Sequence, residues 1–152
     1  MKLIAHRGLL EGPNSQLEND PKQIERAAEL GYDSEVDLWY LDGKLFLGHD
    51  APTHGVQPGW LHRQPLWIHA KNLAALRWLT EQQGLRYFWH QNDDCVVTSN
   101  GYIWTYPEQP LTDRSIRLMP EWADPDFETI KETQCYAICT DWVLKVSTLL
   151  NS

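Results

Sequence analysis

The sequence predicts an α/β fold: an abbreviated, TIM-like (β/α) barrel of about seven to eight strands, with several outer helices replaced by loops. Three observations carry this expectation. Short apolar runs of strand character alternate with helical patterns along most of the chain. Core strands are expected at 2–5, 34–40, 66–70, 86–90, 102–106, 115–119 and 136–140. Several links between them are too short for a crossover helix, so the outer layer must be thin. The 152 residues have the length of one domain, 1–152, whose core needs no disulfide or metal staple. An open α/β sheet is the structural alternative.

The first strand, KLIA at 2–5, runs directly into His6. PKQIERAAEL (21–30) reads as a helix with Pro21 in its first turn, Asp20 as N-cap and Gly31 as its stop. Ile24, Ala27 and Ala28 give it one apolar face. The strand at 34–40 meets Asp42-Gly43, a turn dipeptide that sends the chain back as a hairpin. Residues 51–65 (APTHGVQPGWLHRQP) read as a Pro/Gly loop that holds His54 and His62 in solvent. LWIHA (66–70) is a strand. Residues 72–83 are a helix with Leu73, Leu76 and Leu79 near one face and Gly84 beyond its end. RYFWH (86–90) is a strand in which Trp89 faces the rim and His90 faces outward. CVVT and YIWTYP are separated only by SNG, which requires an antiparallel hairpin. SIRLMP is a strand, DPDFETIKE a short helix capped by Asp124, YAICT a strand, and 142–150 a closing helix.

A net charge of −8 excludes a general nucleic-acid binder, which needs a basic footprint. Lys and Arg are scattered, without a polybasic run. Cys95, Cys135 and Cys139 form no C-x-x-C pair and are odd in number, so reduced thiols and a cytoplasmic location are expected. No secretory leader and no membrane-spanning run is expected. Eight tryptophans are unusual for this length; some are expected in the core and several to line a pocket.

Residues two apart on a strand share a face, and Glu35/Asp37 and His69/Lys71 are two such pairs. In a parallel barrel the site lies at the C-terminal ends of the strands. His6 and Arg7 follow the first strand, and His49 ends the hairpin beside the second. One rim therefore gathers all seven side chains. Two carboxylates at fixed spacing make a hard oxygen site for a divalent cation. Such a cation can absorb the charge of a phosphate, Arg7 and Lys71 can take its remaining oxygens, and histidines near neutral pKa can move protons. Taken singly none of these features is diagnostic; their order along the chain is.

That order resembles the glycerophosphodiester phosphodiesterases, barrels of the phosphatidylinositol-phospholipase-C-like group. His6-Arg7-Gly8, Glu18-Asn19, IERAAELG, Glu35-Val36-Asp37, Asp42-Gly43 and His49-Asp50 arrive in the family's sequence over residues 4–50. His69-Ala70-Lys71 stands where the family has E-x-K, and Thr140-Asp141-Trp142 where it has T-D-x-P. The resemblance implies that His6 and His49 are the acid–base pair. It implies that Arg7 and Lys71 contact phosphate, that Glu35 and Asp37 bind Mg²⁺ or Ca²⁺, and that Glu18 and Asn19 support the site; Asp141, at the end of the last strand, is placed either to support the site as well or to cap the final helix. The implied reaction hydrolyses a small phosphodiester to an alcohol and a phosphomonoester.

His69 replaces a metal-binding glutamate of that pattern. As a third ligand its imidazole would shift the preference toward Mn²⁺ or Zn²⁺. Trp89, Gln91, Asn92, Trp104 and Tyr106 are candidates to stack on and hydrogen-bond the organic part of the substrate, a headgroup, sugar or base. Two other readings stand beside the hydrolase: a barrel that binds a phosphate ligand without turnover, and a lyase that releases a cyclic phosphate.

Overall fold

The computed structural model describes residues 1–152. Its elements are β1 (Lys2–Ala5), α1 (Pro21–Glu29), β2 (Asp33–Leu41), β3 (Lys44–Leu47), β4 (His54–Val56), α2 (Pro58–Arg63), β5 (Leu66–Ala70), α3 (Leu73–Thr80), β6 (Arg86–Phe88), β7 (Cys95–Val97), β8 (Ile103–Thr105), β9 (Ser115–Leu118), β10 (Ala137–Thr140) and α4 (Val143–Asn151). Short 3₁₀ turns lie at His6–Gly8, Pro120–Trp122 and Ile130–Glu132.

The expected α/β architecture is present as an open, incomplete barrel. Strands β6, β5, β2, β1, β10, β9 and β8 lie side by side and all run parallel. Strands β3 and β4 extend β2 as an antiparallel meander, and β7 adds antiparallel to β8. No ladder joins β6 to β7 or β8, which leaves a seam. Ser99 bridges it: its N–H donates to the Tyr87 carbonyl at 2.8 Å and its Oγ accepts from the Tyr87 N–H at 3.0 Å.

Alternation along the strands sorts side chains into two layers. Ile4, Trp67, Phe88, Trp104, Ile116, Ala137 and Cys139 pack inside the barrel. Val36, Leu38, Ile68, Ala75 and Leu79 pack outside it beneath α3. Leu3, Ala5, Ile138, Val143 and Val146 pack beneath α1 and α4. Trp67 is fully buried at the centre, and truncating such a residue costs about 3–5 kcal/mol. Below it Asp33 accepts from Trp67 Nε1 at 3.0 Å and from Arg86 at 2.8 Å, and pairs with Lys2 at 3.0 Å. These groups seal the N-terminal end of the barrel.

Asp20 caps α1 through Lys22 N–H at 3.0 Å, as its position before Pro21 predicts. Three segments depart from expectation. The 51–65 stretch is not a plain loop, because β4 pairs with β3 and α2 buries Leu61. The DPDFETIKE segment does not form a continuous helix; only its last three residues make a 3₁₀ turn. Asp124 accepts from Glu128 N–H, Thr129 N–H and the Thr129 hydroxyl, and Phe127 takes φ 60°, so side-chain bonds displace the helical ladder. The helix expected over 72–83 ends at Thr80, ahead of Gly84. No helix is long and apolar enough to cross a membrane, and all three cysteines are free thiols.

Candidate metal and active site

The inward face of β2 carries Asp33, Glu35 and Asp37 in ascending order toward the C-terminal end of the barrel. The parallel neighbour β5 sets His69 directly beside Asp37. Ligand atoms of Glu35, Asp37 and His69 lie within 4.8 Å of one another, a buried cluster capable of coordinating a metal ion. Its donor set, two carboxylate oxygens and one imidazole nitrogen, suits a divalent cation. His69 Nε2 lies 3.2 Å from the His90 carbonyl. A carbonyl only accepts, so Nε2 carries a proton and Nδ1, 3.1 Å from Asp37 Oδ1, is the nitrogen that faces the carboxylates.

The turn after β1 brings the basic groups to this cluster. Arg7 sits in the left-handed region at φ 51° and Gly8 follows at φ 78°. A Cβ on Gly8 would lie 2.8 Å from Ile24 Cγ1, so only glycine lets α1 approach this turn. The Arg7 N–H donates to Glu35 Oε2 at 3.1 Å, and its side-chain Nη1 donates to Glu18 at 2.9 Å. Arg7 Nε stands 3.6 Å from Asp37, buried and without a hydrogen-bond partner. Lys71 Nζ stands 3.7 Å from Asp37 Oδ1. Asn19, fully buried at φ 58°, donates to Asp37 Oδ2 and accepts from the Asp37 N–H, both at 2.9 Å. It therefore fixes both backbone and side chain of one carboxylate.

His6 Nδ1 lies 2.7 Å from Asp141 Oδ1 at the end of β10, and Nε2 lies 3.9 Å from Glu35. This pairing holds the ring with Nε2 toward the cluster. His49 reaches the same cavity from the turn after β3, with Nδ1 2.7 Å from Asp50. Gly48 makes that turn: its N–H donates to the Asp37 carbonyl at 3.1 Å and its carbonyl accepts from Trp39 Nε1 at 2.7 Å.

Electrostatics divide the two carboxylates. Burial and the neighbouring Asp37 charge hold Glu35 above the usual carboxylate range. Burial pushes Asp37 the same way, but hydrogen bonds and charge from His69, the Asn19 amide and Lys71 outweigh it and bring Asp37 down to about 2. Burial lowers His6, yet the Asp141 hydrogen bond and the Glu35 charge prevail and raise it. Burial and Glu35 push the Tyr106 hydroxyl up to about 12, so it stays protonated at neutral pH.

A cavity of about 310 Å³ opens over the cluster and is lined by His6, Arg7, Glu35, Asp37, His49, His69 and Lys71. The residues expected on one rim thus share one cavity, with Glu18, Asn19 and Asp141 in the shell behind them. Trp104 lies at its floor, stacked on Phe88 at 4.4 Å between ring centres. Trp89 does not line it; the ring packs against the outer core layer. His90 does line it, reversing the orientation expected from Trp89. Phe88 pairs with the inward residue His69 and is itself inward, so Trp89 points out and His90 in. Glu121 and Trp122 were not anticipated. Glu121 accepts from the Thr140 hydroxyl at 2.8 Å and the Asp141 N–H at 3.0 Å, bracing the strand end that carries Asp141. Trp122 follows in the same turn and lines the cavity. Only an approach of the 115–122 segment to the end of β10 would have signalled them, and pairing is invisible along the chain.

Comparison with known proteins finds no family model, curated sequence or solved structure that matches this chain.

Proposed function

We propose that this protein is a metal-dependent phosphodiesterase acting on small phosphodiesters of the glycerophosphodiester kind. The observation that carries the reading is the convergence of a Glu35–Asp37–His69 metal cluster with two histidines and two cations on one cavity. Glu35, Asp37 and His69 would hold the ion, which when bound neutralises charge developing on the phosphate. Arg7 and Lys71 supply N–H donors to the other phosphate oxygens and orient the diester. Water then attacks phosphorus and the bond to the leaving alcohol oxygen breaks. Of His6 and His49, one takes the proton of the attacking water and the other returns a proton to the leaving oxygen. Asp141 orients His6 by receiving its Nδ1–H, so that Nε2 serves as the working nitrogen. The imidazole in the donor set favours Mn²⁺ or Zn²⁺ beside Mg²⁺ and Ca²⁺.

The test is hydrolysis of glycerophosphodiesters and bis(p-nitrophenyl) phosphate with each of these ions, in wild type, His6→Ala and His49→Ala. Metal-dependent turnover that falls by about 10²–10⁴-fold in each variant is expected. A persistent cyclic phosphate in the ³¹P spectrum would make the enzyme a lyase. Ion binding without turnover of any diester would make it a phosphate-binding barrel.

A further inference from the structure

The catalytic cavity continues into a second one of about 410 Å³, and His90, Gln91, Tyr106 and Trp122 line both. The second cavity is walled by acids and amides, with Asp93 and Asp94 on its outer lip. Its fourth side is the Trp122 indole, 65% exposed in a turn that is otherwise fixed. Pro120 before it is buried, and Glu121 is tied to Thr140 and Asp141. The opposite wall is equally anchored. The His90 carbonyl takes the His69 Nε2–H, and the Asp94 carbonyl takes the Tyr106 N–H at 3.0 Å. The His90 side chain is only 9% exposed, yet its Nδ1 has no hydrogen-bond partner and stands 4.0 Å from Asp93. An exposed indole, a buried imidazole without a hydrogen-bond partner and two aspartates thus line one cavity, a surface fit for a ligand.

We infer that this second cavity is a sugar subsite, which receives the alcohol part of the diester; the inference rests on the phosphodiesterase reading of the first cavity. A pyranose has an apolar C–H face that packs on an indole, and a rim of hydroxyl donors. Carboxylates only accept, so Asp93 and Asp94 select neutral hydroxyl donors over a second anionic group. A nucleobase would seek a sandwich between aromatic faces, but Tyr106 is already stacked on His90 at 4.2 Å. Trp122 is left as a one-sided platform, which suits a sugar ring. His90 and Gln91 line both cavities, so they stand between the phosphate and the sugar hydroxyls nearest it.

The test is a ¹⁵N NMR titration of the full chain. The Trp122 indole resonance is identified by its loss in Trp122→Phe. Methyl α-glucoside and glucose 1-phosphate are both expected to move that resonance. Methyl α-glucoside is expected to bind about tenfold more weakly to the Asp93→Asn/Asp94→Asn double variant, the loss of strong hydroxyl–carboxylate bonds. A Trp122 resonance that ignores both sugars, or that responds more strongly to adenosine monophosphate, overturns the sugar subsite. Methyl α-glucoside carries no phosphate, so its result stands whatever the first cavity binds. A failure of glycerol 3-phosphate to bind at all would count against the phosphodiesterase reading alone.

Discussion

Glu121 is a half-buried carboxyl that braces the strand end carrying Asp141. Burial holds it above its ordinary value of 4.5 although Thr140 and Asp141 donate to one of its oxygens. The other oxygen is buried and unpartnered. A carboxyl raised in the folded state binds more protons there than in the unfolded chain, so stability falls as pH rises from about 4.5 through the folded value. Glu121→Gln keeps the accepting oxygen and removes the ionisation. Chemical denaturation across pH 4–8 is expected to show the variant matching wild type in acid and exceeding it increasingly toward neutral pH. At this scale the sequence was legible where chemistry and alternation coincide. Glu35, Asp37, His69 and Lys71 could be placed on one face because their spacing is two. His90 could not, because the phase of RYFWH is fixed by Phe88 pairing with His69 and not by its own pattern. Trp122 and Glu121 sit in a turn of three residues, where no periodicity exists to read.

Elements carry the site through a few turns with no conformational slack. Gly48 takes φ 152°, and a Cβ there would fall 1.9 Å from the Ala51 carbonyl oxygen. Gly43, one turn earlier, also has positive φ, at 77°, but nothing lies near its Cβ position. Gly43→Ala is therefore expected to cost about 1–2 kcal/mol through backbone strain alone and to leave turnover intact. Gly48→Ala is expected to cost more, on the order of 2–3 kcal/mol, and to displace His49 so that turnover falls even in folded protein. Urea denaturation with steady-state kinetics on both variants separates the two effects. The β2–β3 hairpin and α1 were readable because Asp42-Gly43 and the Asp20-Pro21 pair are strong local signals. Strand β4 and helix α2 were hidden in a Pro/Gly-rich stretch. β4 is three residues with a central glycine, held by its pairing to β3, and α2 has no side-chain cap.

At the scale of the whole molecule, an incomplete barrel gathers buried carboxylates at one end of the sheet. Glu35 and Asp37 are buried side by side, and Arg7 and Lys71 stand 3.6 and 3.7 Å from Asp37 without a hydrogen bond to it. An ion bound between the two carboxylates stabilises the folded state over the unfolded one. At a concentration a hundred times its Kd it adds about 2.7 kcal/mol, a rise in melting temperature of roughly 5–10 °C for a chain of this size. The strand succession that builds the barrel was legible from end to end, since each parallel strand is a short apolar run. The seam was not, because strand registry and its absence between β6 and β8 belong to the folded sheet. The most direct test of the metal centre is isothermal titration of Mn²⁺ into wild type and Asp37→Ala. One ion per chain is expected in wild type, with affinity at least about 100-fold lower in the variant, a larger loss than an outer-shell change produces. Equal affinity in the two proteins, or no binding in wild type, would contradict the metal centre and the phosphodiesterase chemistry built on it.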